Sequence, residues 1–356
     1  MRPKVALITG ANGQDGSYLS ELLLHKGYIV HGLVRPHASA SAHSLYNLTL
    51  ARAHPNFTLH YGDITDMGCL LGILQSAKFD EIYHLAGQSH VGLSFSMPVY
   101  TADATALGTV RLLQAVAQLN LCHRVRFYNA CTSELYGRIA KGEQDENTRF
   151  YPSSPYASAK MFSYWITVNM RESYGLFAVN GILFNHESPR RGLEFVSRKI
   201  TRAAAGIHLG GNEILELGNL DARRDWGDAR DFVRGIHMML QQDEPEDLVL
   251  ATGEARSVRE FAEEAFLSIG ITLEWRGEGI SEIGRDGTTE RLLVRVNPDL
   301  FRPNDVPWLC GSARRAEQKL AWAKSISFEE LVQDMVQNDI KQLKSAASLK
   351  AITPRL

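Results

Sequence analysis

An α/β fold, a doubly wound parallel sheet followed by a smaller C-terminal lobe, is predicted from three observations. Short β-branched and apolar runs alternate with longer helical patterns through the first half of the 356-residue chain. Those runs are almost continuously apolar, as strands buried on both faces must be. Beyond about residue 186 the alternation fails, and segments rich in Arg, Gly and Asp take over.

Val5-Ala6-Leu7-Ile8 reads as the first strand and residues 18–26 as the helix that follows it. Residues 29–34 and 58–61 read as the second and third strands. A helical stretch at 69–76 precedes a fourth strand at 81–85, and a long helix at 102–119 precedes a fifth at 125–128. Ser153-Ser154-Pro155 opens the next helix, because serine can cap free N–H groups and proline suits a first turn. Residues 177–184 complete the alternating part, and farther on 248–252 looks strand-like and 258–268 helical. No internal repeat or low-complexity segment interrupts the chain.

The turn Thr9-Gly10-Ala11-Asn12-Gly13-Gln14-Asp15-Gly16 lies between the first strand and the first helix. Gly10 permits a tight turn, Gly13 lets backbone approach a pyrophosphate, and Gly16 lets the helix pack closely on the sheet. The helix N-terminus offers unpaired N–H groups to phosphates. The expected body is therefore a Rossmann-type dinucleotide-binding domain over residues 1–185, with later segments near 224–252 and 303–312 returning to it. Residues 186–345 form mainly the substrate lobe. The second strand runs into Arg35, where an NAD-binding chain usually carries a carboxylate for the ribose. An arginine there suits a 2′-phosphate, so NADP is the expected cofactor. Asp63-Ile64 and Leu85-Ala86, after the third and fourth strands, lie along its adenine and ribose side.

Tyr156 and Lys160 stand one helical turn apart on the same face. A tyrosine with an ordinary pKa near ~10 is a poor base at neutral pH. A nearby ammonium and a positive nicotinamide ring favour the phenolate and lower that value. Thr132-Ser133-Glu134 follows the fifth strand at the carboxyl edge of the sheet, where ligands bind. A hydroxyl there can hold a sugar hydroxyl, and a carboxylate can move a second proton. Residues 189–209 place Arg190, Arg191, Arg198, Lys199 and Arg202 against a single acid, Glu194, which suits a diphosphate.

The formal net charge of −2 argues against nucleic acid or an anionic membrane as partner. The first apolar run is too short for a signal-peptide core or a membrane span, so a cytoplasmic location is expected. Cys69, Cys122, Cys131 and Cys310 are scattered without metal-ligand spacing, so reduced thiols and no metal are expected.

These motifs resemble the extended short-chain dehydrogenase/reductases. Longer strings resemble one family within them, the GDP-mannose 4,6-dehydratases. They are Thr9 to Gly16, Thr132 to Gly137, Asn180 to Arg191, Leu217 to Ala222 and Arg224 to Gly227. The resemblance runs from about residue 4 to about residue 340. It implies a GDP-linked sugar as substrate and a tightly bound NADP regenerated in each turnover. Tyr156 would take the 4-OH proton, Glu134 the C5 proton, Thr132 would hold the 4-OH, and Lys160 would hold the phenolate and the nicotinamide ribose. Asn185 and Arg224 would meet the pyrophosphate. Val196, Lys199, Leu217 and Gly218 would frame the guanine, and Arg302 and Asp305 would reach phosphate and ribose. His186, Arg191, Gln88 and Tyr100 would face the cofactor, with Ser89 and Ser133 beside the sugar. A homodimer or homotetramer is implied as well.

The sequence departs from the family pattern at four places. Arg35-Pro36, followed by His37-Ala38-Ser39, stands where two arginines are usual, in a loop that often makes a tetramer contact. Ser153 replaces an arginine, Asp228 a histidine and Asp305 a glutamate. None of these touches Thr132, Glu134, Tyr156 or Lys160. A GDP-manno-heptose dehydratase would read very similarly. A sugar-nucleotide 4-epimerase would need Tyr156 and Lys160 but no carboxylate at Glu134, and a non-catalytic NADP-sensing protein would need none of the three.

Overall fold

The computed structural model describes residues 2–36, 45–138, 142–302 and 304–352. The loop 37–39 singled out in the sequence lies outside them. The first apolar run becomes β1 (Val5–Thr9), buried along its whole length. The glycine turn then opens α1 (Gln14–His25), four residues before the predicted start, because Gln14, Asp15 and Gly16 of the turn already wind into the helix. β2 (Ile29–Val34), β3 (Phe57–Tyr61), α2 (Met67–Ser76) and β4 (Glu81–His84) follow within a residue or two of their predicted places.

The long helix expected at 102–119 is divided. Ala102–Leu107 winds as a wider π-turn before α3 (Gly108–Gln118). Thr105 explains the interruption: its Oγ1 accepts from the Gln88 backbone N–H at 3.1 Å, which pulls the helix toward the end of β4. β5 (Arg126–Thr132), α4 (Pro155–Tyr174) and β6 (Phe177–Leu183) complete the first half.

The second half brings β7 (Asn185–Glu187), α5 (Val196–His208), β8 (Leu215–Leu217), β9 (Arg223–Asp228), α6 (Ala229–Met239), β10 (Leu248–Leu250), β11 (Ala255–Ser257) and α7 (Val258–Leu267). Then come β12 (Leu273–Arg276), β13 (Ile283–Asp286), β14 (Leu292–Val296) and α8 (Phe328–Ile352).

The main sheet has seven parallel strands in the order β10-β6-β5-β4-β1-β2-β3. Alternate residues of each strand pack on opposite faces, as a two-sided sheet requires. Ala6 and Ile8 meet α1 and α6 through Leu19, Leu23, Phe232 and Ile236. Val5 and Leu7 meet α2 and α3 through Leu70, Ile73, Leu112 and Val116. Between β1 and β4 the strand order reverses direction, which opens a crevice at the carboxyl edge.

A four-stranded sheet, β12-β13-β14-β8, packs with α5, α7 and α8 around Leu217, Phe261, Val294 and Met335. A small sheet, β11-β9-β7, lies among these elements. No helix among the described residues is long and apolar enough to cross a membrane. All four cysteines are unpaired.

Several histidines are buried in this framework. Burial holds His31 down to about 4, His84 to about 3 and His237 to about 4. Each ring takes a proton more readily in the unfolded chain, near pH ~6.5, than in the native one. Their contribution is therefore complete above that value and is lost as pH falls toward the folded value. The urea midpoint should be lower at pH 5 than at pH 7, and His31→Gln should reduce that difference. An unchanged slope in the variant would contradict the assignment.

Candidate active site

Helix α4 carries the centre of the site. Ser154 Oγ accepts from the Ala157 N–H at 3.1 Å and Pro155 occupies the first turn, so the helix begins one residue before Tyr156. Tyr156 and Lys160 both point inward and are buried. Lys160 Nζ donates to the Ala130 carbonyl of β5 at 2.7 Å.

Burial pushes the Tyr156 phenol up from its ordinary range, while a Thr132 hydrogen bond lowers it and the Glu134 charge raises it. Burial also pushes Lys160 down. The Tyr156–Lys160 spacing predicts a phenol lowered by the lysine and a nicotinamide ring together; with protein groups alone the direction is the opposite. The physical reason is that both groups lose their water on burial. A cation bound beside the phenol would act in the opposite direction.

Thr132 ends β5 and accepts from the Glu134 N–H at 3.2 Å, capping the short turn Ser133–Leu135. Glu134 is buried, with Arg302 Nη1 3.9 Å from its carboxylate. Thr132, Ser133, Glu134, Tyr156 and Lys160 line a cavity of ≈ 580 Å³. The same cavity is lined by Ser89, Asn185, Val196, Lys199, Leu217, Gly218, Arg224, Arg302 and Asp305, the residues expected on the substrate side. Arg224 is buried, which pushes its guanidinium down, and it pairs with Asp305 at 3.2 Å.

A second cavity of ≈ 640 Å³ runs along the sheet edge. Gly10, Asn12, Gly13, Gln14, Arg35, Asp63, Ile64, Leu85, Ala86, Gln88, Tyr100, Lys160 and Arg191 line it. Asp15, Gly16, Tyr156 and His186, also expected at the cofactor, line the first cavity instead. The two meet where Gly10, Gly13, Leu85, Ser89, Lys160 and Arg191 border both.

The loop between them fits a dinucleotide. Gly10 has φ +70°, and a Cβ there would sit 3.1 Å from the Ala86 backbone. A Cβ on Gly13 would meet only the Gly10 carbonyl, at 3.2 Å, so backbone lies open to an approaching phosphate. A Cβ on Gly16 would press the Gly10 carbonyl and come 2.7 Å from Ala11 Cα. Gly16 thus seats α1 against its own loop, where the sequence argument had it against the sheet. Arg35 Nη1 donates to the Tyr100 hydroxyl at 2.5 Å, and Asp63 accepts from the N–H and hydroxyl of Thr65.

His186 is tied down on both sides: Nδ1 lies 2.7 Å from the Phe184 carbonyl and Nε2 lies 2.8 Å from Asp15. Burial alone would lower the His186 pKa, but the Asp15 charge and hydrogen bond raise it overall. Burial likewise opposes Asp15, and His186 brings its pKa below the ordinary value. The departures from the family pattern also have local partners. Asp228 caps α6, accepting from the Arg230 N–H at 2.7 Å. The Ser153 carbonyl accepts from Asn304 at 3.0 Å. Among the described residues no group of three or more His, Cys, Asp or Glu side chains could hold a metal.

A family profile described as GDP-mannose 4,6 dehydratase matches residues 7–335. A Sinorhizobium fredii protein named GDP-mannose 4,6-dehydratase is 55% identical, covering 96% of this chain and 98% of its own. The human protein of that name is 53% identical, covering 96% and 92%.

The chain belongs to the GDP-mannose 4,6-dehydratase family.

Among solved structures, the dTDP-glucose 4,6-dehydratase DesIV of Streptomyces venezuelae, with NAD and TYD bound, superposes with TM-score 0.80 at 23% identity, covering 96% and 98%. RMD from Pseudomonas aeruginosa, complexed with NADPH, superposes with TM-score 0.73 at 21% identity, covering 95% and 99%. At these identities the likeness is one of fold.

For a GDP-mannose 4,6-dehydratase family member, some lining residues escaped the sequence argument. Asn219 and Phe301 line the first cavity, and Tyr46, Asn47 and Gln342 line the second. Asn219 lies inside a string already singled out, so it was within reach. Asn47 carried no signal, although its side chain donates to the Asn12 carbonyl at 3.2 Å. Gln342 reaches the cavity only because α8 packs on α5.

The Asp15–His186 pair has a signed pH dependence. The His186 contribution is complete below pH ~6.5 and is lost as pH rises through its raised value. The Asp15 contribution is complete above pH ~3.9 and is lost as pH falls through its lowered value. Asp15→Asn should lower the melting temperature more at pH 5.5 than at pH 9. A difference independent of pH would show that the pair is not ionised.

Proposed function

We propose that this chain removes water from GDP-mannose to give GDP-4-keto-6-deoxymannose, working with a tightly bound NADP. The observation that carries the reading is a shared cavity: Thr132, Glu134, Tyr156 and Lys160 line it together with Lys199, Arg224 and Arg302. The names of the family relatives support the choice of substrate.

A bound nicotinamide dinucleotide supplies the electron acceptor for oxidation at C4 and the donor for reduction at C6. Tyr156 takes the proton of the 4-OH, which the Thr132 hydroxyl holds. The new ketone acidifies the C5 proton. Glu134 takes that proton and passes it to the departing 6-OH, which leaves as water. One proton leaves O4 and one returns to C5, so the side chains end each cycle as they began. Asn185 and Arg224 meet the diphosphate, with Arg302 and Asp305 beside it. Val196, Lys199, Leu217 and Gly218 frame the base.

Arg35, at the end of β2 on the second cavity, supports NADP over NAD. The pairing of β10 with β6 supports assigning segment 224–252 to the dinucleotide domain of residues 1–185. Bridging of Gln144 with Gly311 supports assigning 303–312 there as well. Residues 186–345 then supply mainly the nucleotide-sugar lobe. Phe162 and Trp165, 47% and 56% exposed and one turn apart on α4, support pairing of two copies. Four unpaired thiols suit a cytoplasmic setting.

Incubation with GDP-mannose should yield a 4-keto product lighter by one water. Positioned proton transfer contributes about 10²–10⁴-fold in rate. Glu134→Gln and Tyr156→Phe should each lose product formation by about that factor. Glu134→Gln should still reduce its dinucleotide, seen as absorbance at 340 nm. A C4-inverted sugar with no loss of water would overturn the proposal in favour of an epimerase. Turnover of GDP-manno-heptose alone would redirect the substrate.

A charge-assisted contact is worth about 1.5–3 kcal/mol. Arg35→Leu should therefore weaken NADP binding by roughly 10- to 100-fold and leave NAD binding nearly unchanged. Equal losses for both dinucleotides, measured by titration calorimetry, would remove Arg35 from the 2′-phosphate.

A further inference from the structure

The segment between β7 and α5 forms a wall common to both cavities: Arg191, Glu194 and Phe195 line each of them. At its first end the segment is fastened to α1. Gln14 Nε2 donates to the His186 carbonyl at 2.9 Å, Ser188 donates to Gln14 at 2.8 Å, and Arg190 reaches Ser17 and Glu21. One side chain of α5 also ties the middle of the segment back to that helix. Arg198, in the first turn of α5, directs Nη1 at two carbonyls of the segment, Pro189 at 2.5 Å and Arg191 at 2.9 Å. Its Nη2 donates to Asp339 of α8 at 2.6 Å, and the second oxygen of Asp339 accepts from Thr201 at 2.7 Å.

Arg198 and Asp339 have side chains 4% and 0% exposed. A buried ion pair is a poor source of stability, because desolvation of both charges offsets most of the attraction. An apolar pair of similar volume would pack the α5–α8 junction as well. What an apolar pair could not do is hold two backbone carbonyls in place. The carbonyls belong to Pro189 and Arg191, and Arg191 is the cation on the shared wall.

We propose that Arg198 and Asp339 are positioning residues that clamp segment 186–198 across the dinucleotide and keep it bound from one turnover to the next. A cofactor used and restored within each cycle has no need to leave, so a fixed wall serves the reaction where a moving lid would not. The inference rests on the reading that the second cavity holds the dinucleotide.

The test is the rate at which bound NADPH is lost, followed by fluorescence after a chase with excess NADP⁺. The variants are Arg198→Met/Asp339→Leu, which replaces the pair by apolar volume, and Arg198→Lys. The lysine keeps a charge beside Asp339 but lacks the two spaced nitrogens with which Arg198 reaches Asp339 and the carbonyls at once. Either variant should lose NADPH at least tenfold faster than wild type, while the dinucleotide-free protein stays folded with a cooperative melting transition. A wild-type loss rate in either folded variant would overturn the clamp. Wild-type protein that binds no NADPH at all would instead overturn the cofactor reading on which it rests.

Discussion

Lys160 is a buried ammonium held by a carbonyl, and the arrangement of the site follows from that constraint. Among the described residues no carboxylate pairs with it; its donor goes to Ala130 at 2.7 Å. A buried cation without a counter-charge is costly, and burial duly pushes Lys160 down. The phenol one turn away is pushed up for the same reason. A phenol and an ammonium are thus both held away from their charged forms by desolvation. A nearby positive ring would favour the phenolate, and acceptor oxygens on a ribose would replace the water that Lys160 has lost. The pair is poised for a charged ligand in the crevice, and the glycine loop beside it has the shape to present one.

Elsewhere charge is balanced within the protein. Asp15 has His186, Arg224 has Asp305, and Arg198 has Asp339. Each of these pairs joins segments far apart in the chain, and each lies in or behind a cavity wall. Asp15–His186 fastens the second half of the chain to the first, while Arg224–Asp305 and Arg198–Asp339 tie the second half to itself. Tyr28, Tyr83 and Glu81, linked through the Glu81 carboxylate at the opposite edge of the main sheet, do similar work away from any cavity.

Much of this was legible in the sequence. The strands of the main sheet announce themselves because burial on both faces forces continuous apolar runs, and Val5-Ala6-Leu7-Ile8 has no other stable place. Tyr156, Lys160, Thr132 and Glu134 were legible because strand ends and helix starts fix where a short motif must lie. The π-turn at Ala102–Leu107 was not, since it depends on a hydrogen bond from Gln88 to Thr105 across the end of β4. The rise of the phenol with protein groups alone was not legible, because spacing reveals that Lys160 is near without revealing how deeply both groups are buried. Gln342 could not be found at all: only the packing of α8 on α5 brings it to the cavity.

The two cavities meet where they do because of how strands end. In a parallel sheet every carboxyl end faces the same way, so the last hydrogen-bonded residue of each strand is followed by backbone that must turn outward. Thr132 at the end of β5, Leu85 after β4, Gly10 after β1 and Asn185 just beyond β6 all lie within two residues of those ends. In the smaller lobe Leu217 ends β8 and Val196 starts α5, so its contributions come from the same kind of position. Side chains there are held by a rigid element on one side and remain uncovered on the other. That is the condition for a group to be both placed and reactive, and it is why these residues converge on one crevice, with the segment between β7 and α5 and the stretch around Arg302 and Asp305 supplying its irregular walls.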